Sequence, residues 1–253
     1  MPHSFNISDY HKQGKSRLSE NDVRFLERIF AKGITPYMNR LKQYGFQKKD
    51  NILDAGCGFG QWSLALAQMN KKVYSCDGDA KRIEFLKEII LEKGMSNAEA
   101  RLGFIDNLPY NNETFDAVFC YGVIFITPWK KSLAELVRVL KPGGKLYVNA
   151  NGLGWYKHLW YTEHNKTIDY DPQKIAAEAW LNTYYYQKGE RVDFPTSIII
   201  EPDEFISELK KLEMGSIQWD GEGLLGNPQN KDVFFQKEYF GDVGVYEVMA
   251  TKK

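Results

Sequence analysis

At 253 residues, with 33 basic and 33 acidic side chains, the chain is long enough to bury a full core, and it lacks the net positive field on which a general nucleic-acid binder relies. No apolar run approaches the roughly 20 residues of a membrane span. The N-terminal stretch has no secretory-type apolar segment, and Cys57, Cys76 and Cys120 lack metal-ligand spacing. These features predict a cytoplasmic protein with no metal, nucleic-acid or membrane partner; a monomer or homodimer is expected.

Residues 22–43 carry a helical pattern interrupted near Gly33 and Pro36. From 51 to 150 strands and helices alternate. "NILDAGC" is a buried strand, with a helix from about Gln61 to Asn70; "KVYSCDG" is a second strand, followed by the amphipathic "AKRIEFLKEIILEKG". "AEARLGFI" and "FDAVFCYGVIF" are strands three and four. "KKSLAELVRVL" is a helix stopped by "KPGG", and "KLYVNA" is strand five. Such alternation predicts an α/β protein with a doubly wound parallel sheet, and sheets of this kind bind ligands beyond the C-terminal ends of their strands.

After Ala150 the alternation stops for about fifty aromatic-rich residues, read as short helices without a strand; long insertions of this kind tend to be functional. "PDEFISELKKLEM" then reads as a helix and "GSIQWDGEG" and "GVYEVMATKK" as strands. The expected organisation is an N-terminal helical or lid segment (1–44), a ligand-binding core (45–150), a substrate-cap insertion (151–200) and a C-terminal helix and hairpin (201–253).

The run "LDAGCGFGQWS" places Gly56, Gly58 and Gly60 at the end of strand one. Glycines there let a ligand approach the backbone near a helix N-terminus, or they serve the turn geometry alone. Asp54, inside the strand, needs a cation or an N–H partner. Asp77 ends strand two, where an acid can accept both ribose hydroxyls of a nucleoside. The spacing D-x-G-x-G-x-G, with Gln61 where a further glycine would stand, departs from the dinucleotide pattern.

This stretch resembles the first motif of class I S-adenosylmethionine-dependent methyltransferases. "LPYNNETFDAVFCYGVIF" and "LAELVRVLKPGGKLYV" are similar to later motifs of the type-11, UbiE-like small-molecule branch. The resemblance covers about residues 45–150. It implies a Rossmann-like methyltransferase fold, with a seven-stranded, mostly parallel sheet whose last strand is antiparallel. It further implies S-adenosyl-L-methionine as cofactor, S-adenosyl-L-homocysteine as product and methyl transfer as the activity. Carried onto this sequence, Asp54 and the backbone from Gly56 through Cys57 and Gly58 to Gly60, with Trp62 behind them, hold the methionine part. Asp77 and Gly78 hold the ribose. Where the family often has an acid, this chain has Phe104, and Asp106 with the backbone of Ile105 is the stand-in at the adenine. Tyr121 packs on the cofactor, faces the substrate, or is an ordinary half-buried tyrosine.

An activated methyl needs mainly alignment and exclusion of water, but an alcohol acceptor also needs a base, and histidine suits that role near neutral pH. His158 and His164 lie in the insertion and are the candidate catalytic residues. Trp155, Tyr156, Tyr184, Tyr185 and Arg191, with Tyr10 and His11 from the N-terminal segment, are the candidate substrate contacts; the aromatics equally serve to pack the insertion. An aromatic pocket with an arginine suits a sugar, a nucleotide-linked sugar or a phosphorylated metabolite methylated on oxygen. The alternatives are N-methylation, a protein or RNA acceptor, and a non-catalytic cofactor-binding module.

Overall fold

Helices and strands alternate because the central strands are buried on both faces and the helices that cover them are apolar on one. The computed structural model describes residues 18–231 and 233–253. Two helices, α1 (Glu20–Phe30) and α2 (Thr35–Gln43), precede the sheet. Ser19 caps α1 through a hydrogen bond from the Asp22 amide, and Pro36 sits in the first turn of α2, where its missing N–H costs nothing. The alternation then runs β1 (Asn51–Ala55), α3 (Gln61–Ala67), β2 (Lys72–Asp77), α4 (Ala80–Glu92), β3 (Ala98–Leu102) and β4 (Phe115–Cys120). It continues with α5 (Trp129–Arg138) and β5 (Leu140–Asn151).

The insertion holds two substantial helices, α6 (Leu153–Thr162) and α7 (Pro172–Gln187), longer than the short ones expected. The start of α7 carries a local signal: Asp171 accepts from the amides of Gln173 and Lys174, and Pro172 follows at the first helical position. The C-terminal part comprises α8 (Pro202–Lys211), β6 (Met214–Gly221), a small hairpin of β7 (Glu238–Tyr239) and β8 (Asp242–Val243), and β9 (Val245–Lys252).

The main sheet has seven strands in the order β3-β2-β1-β4-β5-β9-β6, with β9 antiparallel to both neighbours and the rest parallel. The expected mostly parallel sheet with an antiparallel last strand is therefore present. One face is covered by α1 to α4 through Leu41, Phe59, Trp62 and Leu86. The other is covered by α5 and α8, where Trp129 stacks on Phe205 at 5.6 Å between centroids; a fully buried ring of this size contributes roughly 2–3 kcal/mol. The strand order reverses between β1 and β4, so the loops after these two strands diverge and leave a cleft between them. Among the described residues no helix is long and apolar enough to cross a membrane.

Candidate active site

The three glycines all have positive φ, at +77°, +53° and +86°, but for different reasons. A Cβ at Gly56 would lie 2.4 Å from Val123 Cγ1, and one at Gly60 would lie 2.2 Å from Leu86 Cδ1. These two glycines are required by packing against the β4 loop and α4. Only Gly58 faces open space, with nothing within 4 Å of a built Cβ. The reading that all three keep side chains away from a ligand is thus corrected to Gly58 alone.

The loop amides also differ from expectation. Gly56 N and Cys57 N both donate to Cys76 O, at 2.7 and 3.0 Å, Gly60 N donates to Cys57 O at 2.9 Å, and Gly58 N donates to Asp77 Oδ2 at 2.9 Å. These donors stitch the loop to β2 and brace Asp77 rather than point at a ligand. Asp77 Oδ1 accepts from the Asp79 amide at 2.9 Å, so the carboxylate is held between two backbone donors at the cleft edge, half-buried. Gly78 beside it is exposed, and a Cβ there would meet the Phe104 ring at 2.8 Å. Phe104 itself is 64% exposed, an apolar ring beside Gly78 that offers a planar base a stacking partner.

Asp54 is 1% exposed, and its Oδ2 accepts from Ser63 Oγ at 2.6 Å, with Ser75 Oγ donating on to Ser63 Oγ at 2.8 Å. Its N–H partner is the Ser63 amide. A direct role in holding a ligand is therefore corrected: Asp54 ties β1 to the first turn of α3. Burial pushes its carboxyl up to about 7, against the Ser63 bonds and with help from Asp77. A folded-state value above the unfolded one means that stability falls as pH rises from about 4 to about 7. Asp54→Asn removes this ionisation, so urea midpoints of variant and parent, close at pH 4.5, are expected to separate by pH 7.5 with the variant higher.

The remaining sequence candidates divide. The Cys57 side chain is buried, with its thiol pushed well up by burial, and Ile105 is buried too, so neither side chain is available. Asp106 Oδ2 is engaged by Lys131 Nζ at 3.0 Å, so a contact from this carboxylate to an adenine would be shared with that cation. Trp62 is 2% exposed and packs edge-on to Tyr37 at 4.8 Å and against Tyr121 at 4.9 Å. Its indole Nε1 and Gln61 Oε1, both in the first turn of α3, are buried polar atoms with no hydrogen-bond partner. Such orphans are costly unless a ligand completes them. Together with the open face of Gly58 and the braced Asp77, they fit a nucleoside bearing an amino-acid tail.

Tyr121, at the end of β4, stacks parallel on Phe119 and donates to Glu222 Oε1 at 3.3 Å. The next residue, Gly122, donates its amide to Asn149 Oδ1 at 2.6 Å, fixing the β4 loop to β5. From Tyr121 a run of ring contacts leads outward: Trp62 to Tyr37, then Tyr37 to Phe234 at 5.9 Å. The next residue, Phe235, packs on Trp155 at 5.1 Å, and Trp155 meets His158 at 5.5 Å and His164 at 5.6 Å. The two imidazoles lie 5.0 Å apart, and His158 stacks on Tyr239 at 4.3 Å. Burial depresses both histidines below the usual value, helped by His164 at His158 and by the Arg28 guanidinium at His164. Both are therefore neutral proton acceptors at pH 7.

Other expected substrate contacts are not part of this wall. Tyr156 is 1% exposed and donates to Ile198 O, so it packs the cap. Tyr184 is exposed, and Tyr184 and Tyr185 pack on each other at the end of α7. Their neighbour Tyr186 packs on Phe194 over the α5 and α8 face of the sheet. The Arg191 side chain is 88% exposed and paired with Asp193; it is corrected from a substrate anchor to a solvated surface charge. Tyr10 and His11 lie outside the described residues. The described part of the N-terminal segment nevertheless reaches the cleft, where Phe25 packs on Phe59 at 6.1 Å and Asp22 pairs with Arg82 of α4 at 3.2 Å. Sequence reasoning missed Phe234, Phe235 and Tyr239, which are brought in by a segment more than seventy residues beyond α6.

Comparison with known proteins agrees with this geometry. Residues 52–144 match the family model described as a methyltransferase domain. A demethylmenaquinone methyltransferase of Anoxybacillus flavithermus is 26% identical over 196 residues, covering 75% of this chain and 78% of that protein. The ubiquinone/menaquinone biosynthesis C-methyltransferase UbiE of Francisella tularensis subsp. novicida is 35% identical over 109 residues, 41% of this chain and 44% of that protein. The chain thus spans most of the first relative and less than half of the second. Among solved structures, a SAM-dependent methyltransferase from Aquifex aeolicus superposes with TM-score 0.56 at 18% identity, covering 98% of this chain and 100% of that one. A geranyl diphosphate methyltransferase in complex with SAM gives 0.59 at 15% identity, covering 96% and 95%. The two superpositions establish a shared fold.

Proposed function

We propose that this chain, a class I S-adenosylmethionine-dependent methyltransferase of the UbiE-like type, methylates a small hydroxylated aromatic ring of the hydroquinone kind, at a ring carbon. One observation carries this reading: two runs of ring contacts, one from Tyr121 through Trp62 and Tyr37 to Phe234, the other from the next residue, Phe235, through Trp155 to two neutral histidines, form an aromatic wall. An apolar, ring-lined cleft suits a flat aromatic acceptor better than a sugar or phosphate, which would require buried cations or several polar partners. Arg191, the cation on which the sugar or phosphate expectation leaned, faces solvent. The names of the two relatives point to the same substrate class.

The cofactor supplies a methyl group already activated for displacement. Asp77 would hold its ribose, the Gly58 face would admit its chain, and Trp62 Nε1 with Gln61 Oε1 would complete hydrogen bonds at its amino-acid end. The wall aligns the acceptor ring and excludes water. His158, assisted by His164, removes the ring hydroxyl proton, which spreads negative charge onto the ring carbons and makes one of them the nucleophile. The proton lost from that carbon after transfer passes to solvent. Methylation on the hydroxyl oxygen is the second reading, since the same ionisation favours it.

The test is incubation with a methyl-labelled donor and a panel of a short-chain naphthohydroquinone, a catechol and a nucleotide-linked sugar, with products resolved by mass spectrometry and NMR. A new C-methyl signal on the hydroquinone is the expected result; label on the sugar, or only on oxygen, contradicts the carbon assignment.

A further inference from the structure

Beneath the aromatic wall lies a buried ionic cluster that the chemistry above does not use. Glu222, at the end of β6, is fully buried, and Arg40 of α2 is 4% exposed; their ion pair is 2.5 Å, from Arg40 NH1 to Glu222 Oε1. The same Oε1 accepts from Tyr121 Oη, and the other oxygen, Oε2, accepts from the Phe234 amide at 2.8 Å. The Arg40 guanidinium then lies 5.1 Å from the centroid of the Phe234 ring. One carboxylate thus reaches α2, the end of β4 and the loop that carries Phe234. A Cβ at Gly223, next in the chain, would lie 2.6 Å from the Arg40 guanidinium, so the turn after Glu222 is fitted to this cation.

The consequence is a ring fixed but uncovered. Phe234 is 43% exposed, yet its amide is tied to Glu222 and its face to Arg40. Exposed apolar rings are common on protein surfaces; what sets Phe234 apart is that both its amide and its ring face are held by one buried ion pair. Burying an ion pair is a poor way to gain stability, because desolvation offsets most of the attraction. Its retention here is explained by what it holds in place.

We propose that Glu222 is the positioning residue of the acceptor wall: through the Arg40 ion pair and the Phe234 amide it sets the Phe234 ring against Tyr37, and through Tyr121 it couples that ring to the end of β4. The proposal rests on the wall being the acceptor's binding surface. Glu222 touches no reacting atom, so its loss acts on acceptor affinity and not on donor binding.

Two readouts separate the proposal from that premise. In Glu222→Gln, hydrogen exchange at the Phe234 amide is expected to quicken at least tenfold, and the KM for a short-chain naphthohydroquinone to rise about tenfold, with donor Kd by calorimetry within twofold of the parent. Unchanged exchange overturns the positioning role whatever the acceptor. Quickened exchange with an unchanged KM also overturns it, because the ring is then not a wall the acceptor feels. If the parent methylates no hydroquinone, the acceptor assignment fails while the exchange result still decides what Glu222 holds. Should Glu222→Gln weaken donor binding through loss of fold, Phe234→Leu takes its place, leaving the ion pair intact. A comparable KM rise in Phe234→Leu, with donor Kd unchanged, supports the proposal, and an unchanged KM overturns it.

Discussion

Asp77→Ala is expected to weaken binding of S-adenosylmethionine and its demethylated product by about 10²–10³-fold. The carboxylate is held in place by Gly58 N and Asp79 N, so its position is fixed before any ligand arrives. Charge-assisted hydrogen bonds to a nucleoside's two ribose hydroxyls contribute roughly 1.5–3 kcal/mol each, and two of them account for the factor. Asp77→Asn, which keeps one carbonyl acceptor, is expected to lose about tenfold. Calorimetric titration checks both, and a loss below twofold in Asp77→Ala contradicts the ribose assignment. Because Asp77 also braces the glycine loop, a small drop in melting temperature accompanies the loss and is measured alongside.

Removing either cap histidine is expected to lower kcat by about 10²–10⁴-fold, the usual contribution of a positioned general base, while donor Kd stays unchanged. His158→Asn and His164→Asn keep a polar group of similar size and lose the proton acceptor. Burial and like-charge neighbours hold both imidazoles below the ordinary histidine value. The parent's kcat is therefore expected to fall on the acid side only below about pH 6.5, as the base becomes protonated, and to be level above it. The variant in the true base loses that acid limb, and the other keeps it at reduced amplitude. An unaltered pH profile in both variants removes the histidines from the chemistry.

The alternation of strands and helices, the glycine loop and the acid ending β2 were legible in the sequence because each is a local pattern. What each glycine is for was not legible. Gly56 is set by Val123 and Gly60 by Leu86, and such distant packing partners leave no trace in the run itself. The partner of Asp54 was closer to hand, since Ser63 stands nine residues on, in the first turn of α3. Arg191 was misplaced because nothing local states over which face of the sheet the end of α7 falls. Glu222 and Arg40 were out of reach for the same reason in stronger form: they are separated by 182 residues and meet only because β6 ends beside α2. The aromatic richness of the insertion was conspicuous in the sequence, but the rings its Trp155 meets, Phe235 and Tyr239, come from residues 234–239, which as sequence read only as a connection between strands.

The open face of Gly58 is where the methyl donor would lie under the proposed function. Titration calorimetry with S-adenosylmethionine on the parent, Gly58→Ala and Gly143→Ala tests it most directly, since both glycines have positive φ and no neighbour within 4 Å of a built Cβ, so the backbone strain is matched. The expected result is donor binding by the parent and by Gly143→Ala alike, with affinity reduced at least tenfold in Gly58→Ala. Absence of heat in the parent, or equal affinities in the two variants, contradicts it.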